Sequence, residues 1–216
     1  AQAREDADHA AHVRHADRLP LRRRAQGFRE LVVLRPVRHS LRRLRDGLAA
    51  ISLRDLADRV GVRQPSLYAY FDSKLALYDA MFADGNRQLI ETVSALPEHD
   101  DPHEALVDLV EELTRFSAAD TVRHQLLFQR TIPGFEPSEQ SYAVAREFYA
   151  IGQERLAAAG VGEPGDLDLF TAIVSGLTHQ QVANDPGGDR WVRLSRQAVE
   201  MYLAQIERKS PAQQSN

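Results

Sequence analysis

A chain of 216 residues with 43% hydrophobic content is long enough for one or two domains with a real core. It has no cysteine, which excludes disulfides, thiolate chemistry and cysteine-ligated metal; with no run of 18 apolar residues and no continuous apolar leader, the expectation is a cytoplasmic protein without a membrane span. Net charge is −4, yet residues 1–50 hold 12 Arg against 6 Asp or Glu, leaving 15 basic and 25 acidic residues for 51–216, so an acidic body follows a basic end that can approach phosphates.

The first 20 residues, rich in Ala, Asp, Arg and His, lack an apolar period and read as a surface extension. Leu21 to Leu34 carries Arg22, Arg23 and Arg24 followed by Phe28, Leu31, Val32 and Leu34, a short amphipathic helix before Pro36. These arginines suit either a solvated face or flanking phosphates and the minor groove. From Pro36 a further helix places Val37, Leu41 and Leu44 on one side and ends at Gly47.

The run from Ser52 to Lys74 reads as two short helices joined by a tight turn, followed by the start of a third. Ser52 is a good N-cap, and Leu53, Leu56, Ala57 and Val60 recur at offsets of three and four. Gly61 supplies a turn position open to positive φ, and Val62 can fold back onto the apolar face. Pro65 fits the first turn of the next helix, where Leu67, Tyr68 and Phe71 form a short buried side. A short helix held by its neighbour, with donors near its N-terminus, is the physical form of a helix-turn-helix. A plain helical hairpin with a polar outer face is the alternative that the pattern alone leaves open.

In chain order, Ser52, Arg54, Leu56, Ala57, Gly61, Val62, Ser66, Leu67, Tyr68, Tyr70, Phe71, Lys74 and Leu77 resemble, without a gap, the DNA-binding region of the tetracycline-repressor-like (TetR) family of transcriptional regulators. That region reads as a small polar cap, x-R-x-L-A-x-x-x-G-V, a polar pair, S/T-L-Y-x-Y/H-F and x-x-K-x-x-L. The strong match covers roughly 51–82. The preceding helix departs from it: Arg43 and Leu48 stand near places where the family carries a phenylalanine and a glycine-aromatic pair.

Arg63 and Gln64, at the start of the second helix, are the first base-edge candidates, because Arg pairs with guanine and Gln with adenine in the major groove. The resemblance adds Arg54 as a base or backbone contact. Ser52, Ser66, Tyr68, Tyr70 and Lys74 are expected on phosphates, with core packing the competing role for both tyrosines.

Beyond this unit, Asp72 or Ser73 can cap a helix from Lys74 to about Leu96, stopped by Pro97. Asp101 and Pro102 open another, bearing Leu106, Leu109, Val110, Leu113 and Phe116. A shorter helix spans about Val122 to Arg130, Pro133-Gly134 breaks the chain, and Ser138 starts a helix to about Ala159, ended by Gly160 and Gly162. Asp166 is expected to cap Leu167 to Val182, and Asp189 a final helix bearing Trp191, Leu194, Ala198, Tyr202 and Ile206, with the tail fraying after Lys209. No segment alternates as a strand would, so the fold class is all-α.

The expected organisation is a basic extension over 1–35, a helix-turn-helix domain over 36–84, and a ligand-binding and dimerisation domain over 85–216. The last two helices, amphipathic and joined by a short turn, suit pairing with a second copy, and the resemblance implies a homodimer at that place. It also implies a regulator, by family habit a repressor, of a palindromic double-stranded operator, released by a small-molecule effector. Phe116, His124, Phe128, Tyr142, Phe148, Tyr149, Phe170, Thr178 and His179 are the candidate ligand residues, although a core needs many of these aromatics anyway. An enzyme finds little support: His103, His124 and His179 are scattered, and there is no H-E-x-x-H, nucleophile elbow or glycine-rich phosphate loop. No cofactor or metal is expected. A helical protein-binding or structural module is the other reading.

Overall fold

The computed structural model describes Arg54, Ala57, Asp58 and residues 71–213, with side chains as far as Lys209. The N-terminal expectations, including the helices before Ser52, otherwise lie outside the described residues. Arg54, Ala57 and Asp58 are helical; Ala57 is fully buried while its two polar neighbours are exposed, as an amphipathic first helix requires.

Six α-helices and one 3-10 turn make up the rest, and no strand occurs among the described residues: α1 Lys74–Ser94, α2 Pro102–Ala119, α3 Thr121–Phe128, α4 Glu139–Ala158, α5 Pro164–Asn184, a 3-10 turn Val192–Leu194, and α6 Ser195–Gln213. The chain divides into compact units at Leu77/Tyr78. In the second unit α2 is central, packing against α3, α4, α5 and α6, and α5 packs on α6. The core runs from Leu89 and Val93 through Leu106, Val107 and Val110 to Phe170, Val174, Val199 and Tyr202.

Local chemistry sets these boundaries. The Ser73 hydroxyl accepts from Ala76 N–H at 3.0 Å and caps α1. Asp101 caps α2 through His103 N–H at 2.9 Å, with Pro102 in the first turn, and Asp120 caps α3 through Arg123 N–H at 3.0 Å. Between α3 and α4 the Ile132 carbonyl accepts from Phe135 N–H across Pro133 and Gly134, a type II turn in which Gly134 has φ 71°. Phe135 then sets its ring edge-on to Tyr78 and Phe82. At the far end of α4, Val161 N–H donates to Leu156 carbonyl and Gly160 N–H to Ala157 carbonyl, with Gly160 at φ 79° and both Leu156 and Val161 buried. This is a Schellman cap with its apolar contact.

Side chains then lock the helices together. Asp79 of α1 accepts from Ser138 N–H, Ser138 Oγ and Ser141 Oγ at 2.7–2.9 Å, docking the start of α4. Arg155 of α4 donates to the Val93 and Ala105 carbonyls, tying the end of α1 to the start of α2.

Two capping expectations are corrected. Pro164 starts α5 ahead of Asp166, because its fixed φ suits the first turn, and Glu163 at the cap makes no side-chain capping bond. Asp166 lies inside that turn, where its carbonyl accepts from Tyr202 hydroxyl at 2.8 Å and its carboxylate meets Lys209. Asp189 does not cap the last helix: its carboxylate pairs with Arg193 at 3.2 Å, and α6 begins only at Ser195 after the 3-10 turn. The amide of Gln181, fully buried, organises that turn instead. It donates to the Asp185 and Gly188 carbonyls and accepts from Trp191 and Val192 N–H. α6 runs as far as Gln213.

Candidate ligand cavity and DNA-binding unit

The helices of the second unit enclose a cavity of about 770 Å³, a volume that suits a drug-sized molecule. Its wall takes residues from α1 through α5 and is mostly apolar: Leu109, Val110 and Leu113 from α2, Phe148 and Leu156 from α4, Leu167, Phe170 and Val174 from α5. Eight of the nine candidate ligand residues line it, namely His124, Phe128, Tyr142, Phe148, Tyr149, Phe170, Thr178 and His179. Phe116 does not. The Arg123 guanidinium lies over its ring, 3.4 Å from the centroid, and donates to Phe116 carbonyl at 2.6 Å and to Gln88 at 3.1 Å. Phe116 belongs to the buried core cluster instead.

Phe128, Tyr142 and Tyr149 line the cavity and are about half exposed. Polar groups are few inside. Thr178 is buried and paired with Thr114, hydroxyl to hydroxyl, at 3.2 Å. Asn86 donates to Phe82 carbonyl at 2.9 Å. Ser117 Oγ and His124 Nδ1, both deeply buried, have no hydrogen-bond partner. Among lining residues the only permanent cation is Arg146, which stacks near Tyr142 and pairs with Glu139; no carboxylate lines the cavity.

Sequence reading passed over Asn86, Ser117 and Arg146. The signal for Ser117 was present: Leu106, Leu109, Val110 and Leu113 form one stripe of α2, and Ser117 continues it at the next turn. A small polar residue within an apolar stripe is where a helix face stops being core.

Burial pushes the His124 imidazole down to about 4, with the nearby His179 a smaller contribution in the same direction. His124 is therefore neutral at pH 7. Because its folded pKa lies below the unfolded value near 6.5, the unfolded chain binds more protons between those values, and stability falls as pH drops from about 6.5 toward 4. The expected loss at pH 5 is about 1–2 kcal/mol. Urea unfolding at pH 7.5 and pH 5 checks it: His124→Phe should lose less stability than the parent chain over that interval, and equal losses would remove His124 as the cause.

Of the DNA candidates, Arg54 is exposed on a helix, and Lys74, half-buried, is the first residue of α1. Desolvation holds the Lys74 ammonium below its usual range. Ser52, Arg63, Gln64, Ser66, Tyr68 and Tyr70 lie outside the described residues.

Residues 44–81 match the family described as bacterial regulatory proteins, tetR family. The chain carries the DNA-binding domain of the TetR family. That family is one of bacterial regulatory proteins. No curated protein matches the chain by sequence. Among solved structures, the fatty acid degradation regulator FadR from Bacillus halodurans superimposes with a TM-score of 0.65 at 15% identity, over 81% of this chain and 94% of that one. The TetR-family regulator PfmR from Thermus thermophilus gives 0.58 at 21% identity, over 81% and 97%. A TetR variant from Acinetobacter baumannii AYE, in complex with minocycline, gives 0.51 at 23% identity, over 82% and 94%. At these identities the likeness is one of fold. Among the described residues no helix is long and apolar enough to cross a membrane, and no group of three or more His, Asp or Glu is placed to hold a metal.

Proposed function

We propose that this TetR-family chain is a cytoplasmic, ligand-responsive regulator, most simply a repressor that binds a palindromic operator as a homodimer and is released by a small molecule. The observation that carries this reading is a largely apolar cavity of about 770 Å³ in the same chain as a TetR-family DNA-binding domain. The fold it shares with a minocycline-bound TetR variant is compatible with an occupied cavity. The domain limits proposed are 1–35, 36–84 and 85–216.

For the homodimer, support comes from α5 and α6. Leu169, Ala172, Gly176 and Ala183 share one exposed side of α5, while Leu194, Met201 and Ala204 stand exposed on and before α6; Met201 is 65% exposed. A helix apolar around most of its circumference needs a second partner. A two-fold dimer would place two recognition helices about 34–36 Å apart on successive turns of one DNA face.

Arg63 and Gln64 are proposed to read bases, Arg54 to add a base or backbone contact, and Ser52, Ser66, Tyr68, Tyr70 and Lys74 to hold phosphates. Lys74 combines its ammonium with the N-terminus of α1, two positive features at one point. Lys74→Ala should weaken binding to every duplex by a similar factor and reduce the salt slope by about one unit for each phosphate no longer neutralised. A loss confined to one sequence would move Lys74 into base reading. Ligand binding would act through α1, and a coupling of about 1–3 kcal/mol changes operator affinity roughly 5–150-fold.

The test is selection of bound duplexes from a random pool, followed by metabolite screening against the selected duplex. A reproducible palindrome supports the regulator reading; a metabolite that fills the cavity and leaves operator affinity unchanged refutes induction by that metabolite.

A further inference from the structure

Taking the cavity as the effector site, as proposed above, its wall also specifies what kind of molecule it holds. Three features converge. The wall is dominated by aliphatic and aromatic side chains, three of its rings about half exposed, so flat apolar surface is what it can match.

Charge is the second feature. No Asp or Glu lines the cavity, so a buried cation would have no counter-charge. Arg146 already pairs with Glu139 and is about half exposed, while His124 is held neutral by burial, so a buried anion finds no free cation among them.

The third feature is a pair of unmet polar groups where α2 meets α3. The α2–α3 turn brings Ser117 and His124 to either side of Asp120: Asp120 N–H donates to Ser117 carbonyl at 3.4 Å, and His124 N–H donates to Asp120 carbonyl at 2.9 Å. Both side chains are more than nine-tenths buried, both residues line the cavity, and Ser117 Oγ and His124 Nδ1 lack partners. Leaving such groups unpaired costs about 1–3 kcal/mol each, a cost that a bound polar group removes. Ser117 offers a donor and an acceptor, and a neutral imidazole nitrogen offers one or the other according to tautomer. A hydroxyl, itself donor and acceptor, can meet either group.

We propose that the cavity binds an uncharged, mainly apolar aromatic molecule bearing a hydroxyl, with that hydroxyl at the Ser117–His124 pair and the rings along α4 and α5. A set of naphthalenes of nearly constant shape tests this by calorimetry on the full chain at pH 7.5: 2-naphthol, naphthalene, 2-naphthoate and 2-naphthylmethylammonium. 2-Naphthol should bind about ten-fold or more tighter than naphthalene, and both ions more weakly than 2-naphthol. Ser117→Ala and His124→Leu should each shrink the naphthol-to-naphthalene ratio to about three-fold or less while leaving naphthalene binding unchanged or improved. If His124→Leu does not fold, Ser117→Ala and His124→Gln carry the comparison.

Tighter binding of either ion, an unchanged ratio in the variants, or no binding of any of the four overturns the proposal. Duplex selection without ligand is run in parallel, so the two readings separate. Operator binding without naphthol binding defeats the ligand class alone, and naphthol binding without any selected duplex defeats the regulator reading alone.

Discussion

Gln181→Leu is expected to cost about 3 kcal/mol of folding stability, with the urea midpoint lowered and the slope of the transition unchanged. The side chain is fully buried, and its amide serves four backbone groups: the Asp185 and Gly188 carbonyls and the N–H groups of Trp191 and Val192. Leucine has nearly the same volume, so the substitution leaves little cavity, and the penalty comes from stranding backbone polar groups. Some of them can regain water where the turn reaches the surface, which keeps the expected value below the sum of four full penalties. Gln180→Leu is the control. Gln180 is exposed and bonds only to Asn184, so its replacement should change stability by no more than about 0.5 kcal/mol. Equal effects at 180 and 181 would show that the amide of Gln181 does not hold the α5–α6 turn.

Introducing charge on the proposed dimer face should have the larger functional effect. Met201→Glu and Leu169→Glu replace side chains that are 65% and 45% exposed, so neither should much disturb the folded protomer. In a self-complementary interface each change appears twice, and two carboxylates must then be buried near an apolar surface without partners. The expected outcome in analytical ultracentrifugation is conversion of a dimer to a monomer at micromolar concentration. Operator affinity should fall by about 10²–10⁴-fold, because the second half-site would no longer be engaged at a high effective concentration. A parent chain that sediments as a stable monomer would sink the dimer proposal. Variants that remain dimeric with full operator affinity would move the interface elsewhere.

The helices after residue 70 were legible in sequence because their ends are written in short-range chemistry. Ser73, Asp101, Asp120 and Ser138 each accept from a backbone N–H two or three residues ahead, and Gly160 supplies the one positive φ that closes α4. Asp166 and Asp189 were misread for the opposite reason. Each has the right residue type, but Pro164 fixes an earlier helix start, and the N–H groups that follow Asp189 are taken by Gln181, ten residues upstream. A competitor that distant leaves no local sign. The cavity shows the same division. Large aromatics at helical spacing marked most of its wall, whereas the same spacing did not separate these lining rings from Phe116, which packs in the core under the Arg123 guanidinium. The place of Ser117 on the wall was legible from the stripe of α2 that it continues, whereas the lack of a partner for its hydroxyl shows only in the fold.

The side chains of α5 divide around its axis. Phe170, Val174 and Thr178 face inward to the cavity wall, and Leu169, Ala172 and Gly176 lie outward on the face proposed to meet a second copy. With both assignments in force, filling the cavity and exchanging subunits draw on one rigid element, so they are thermodynamically linked: an effector that favours one seating of α5 must change the dimer dissociation constant by the factor by which dimerisation changes effector affinity. Apparent effector affinity would then vary with protein concentration, and the abundance of the regulator in its cell would set the metabolite level at which its genes respond.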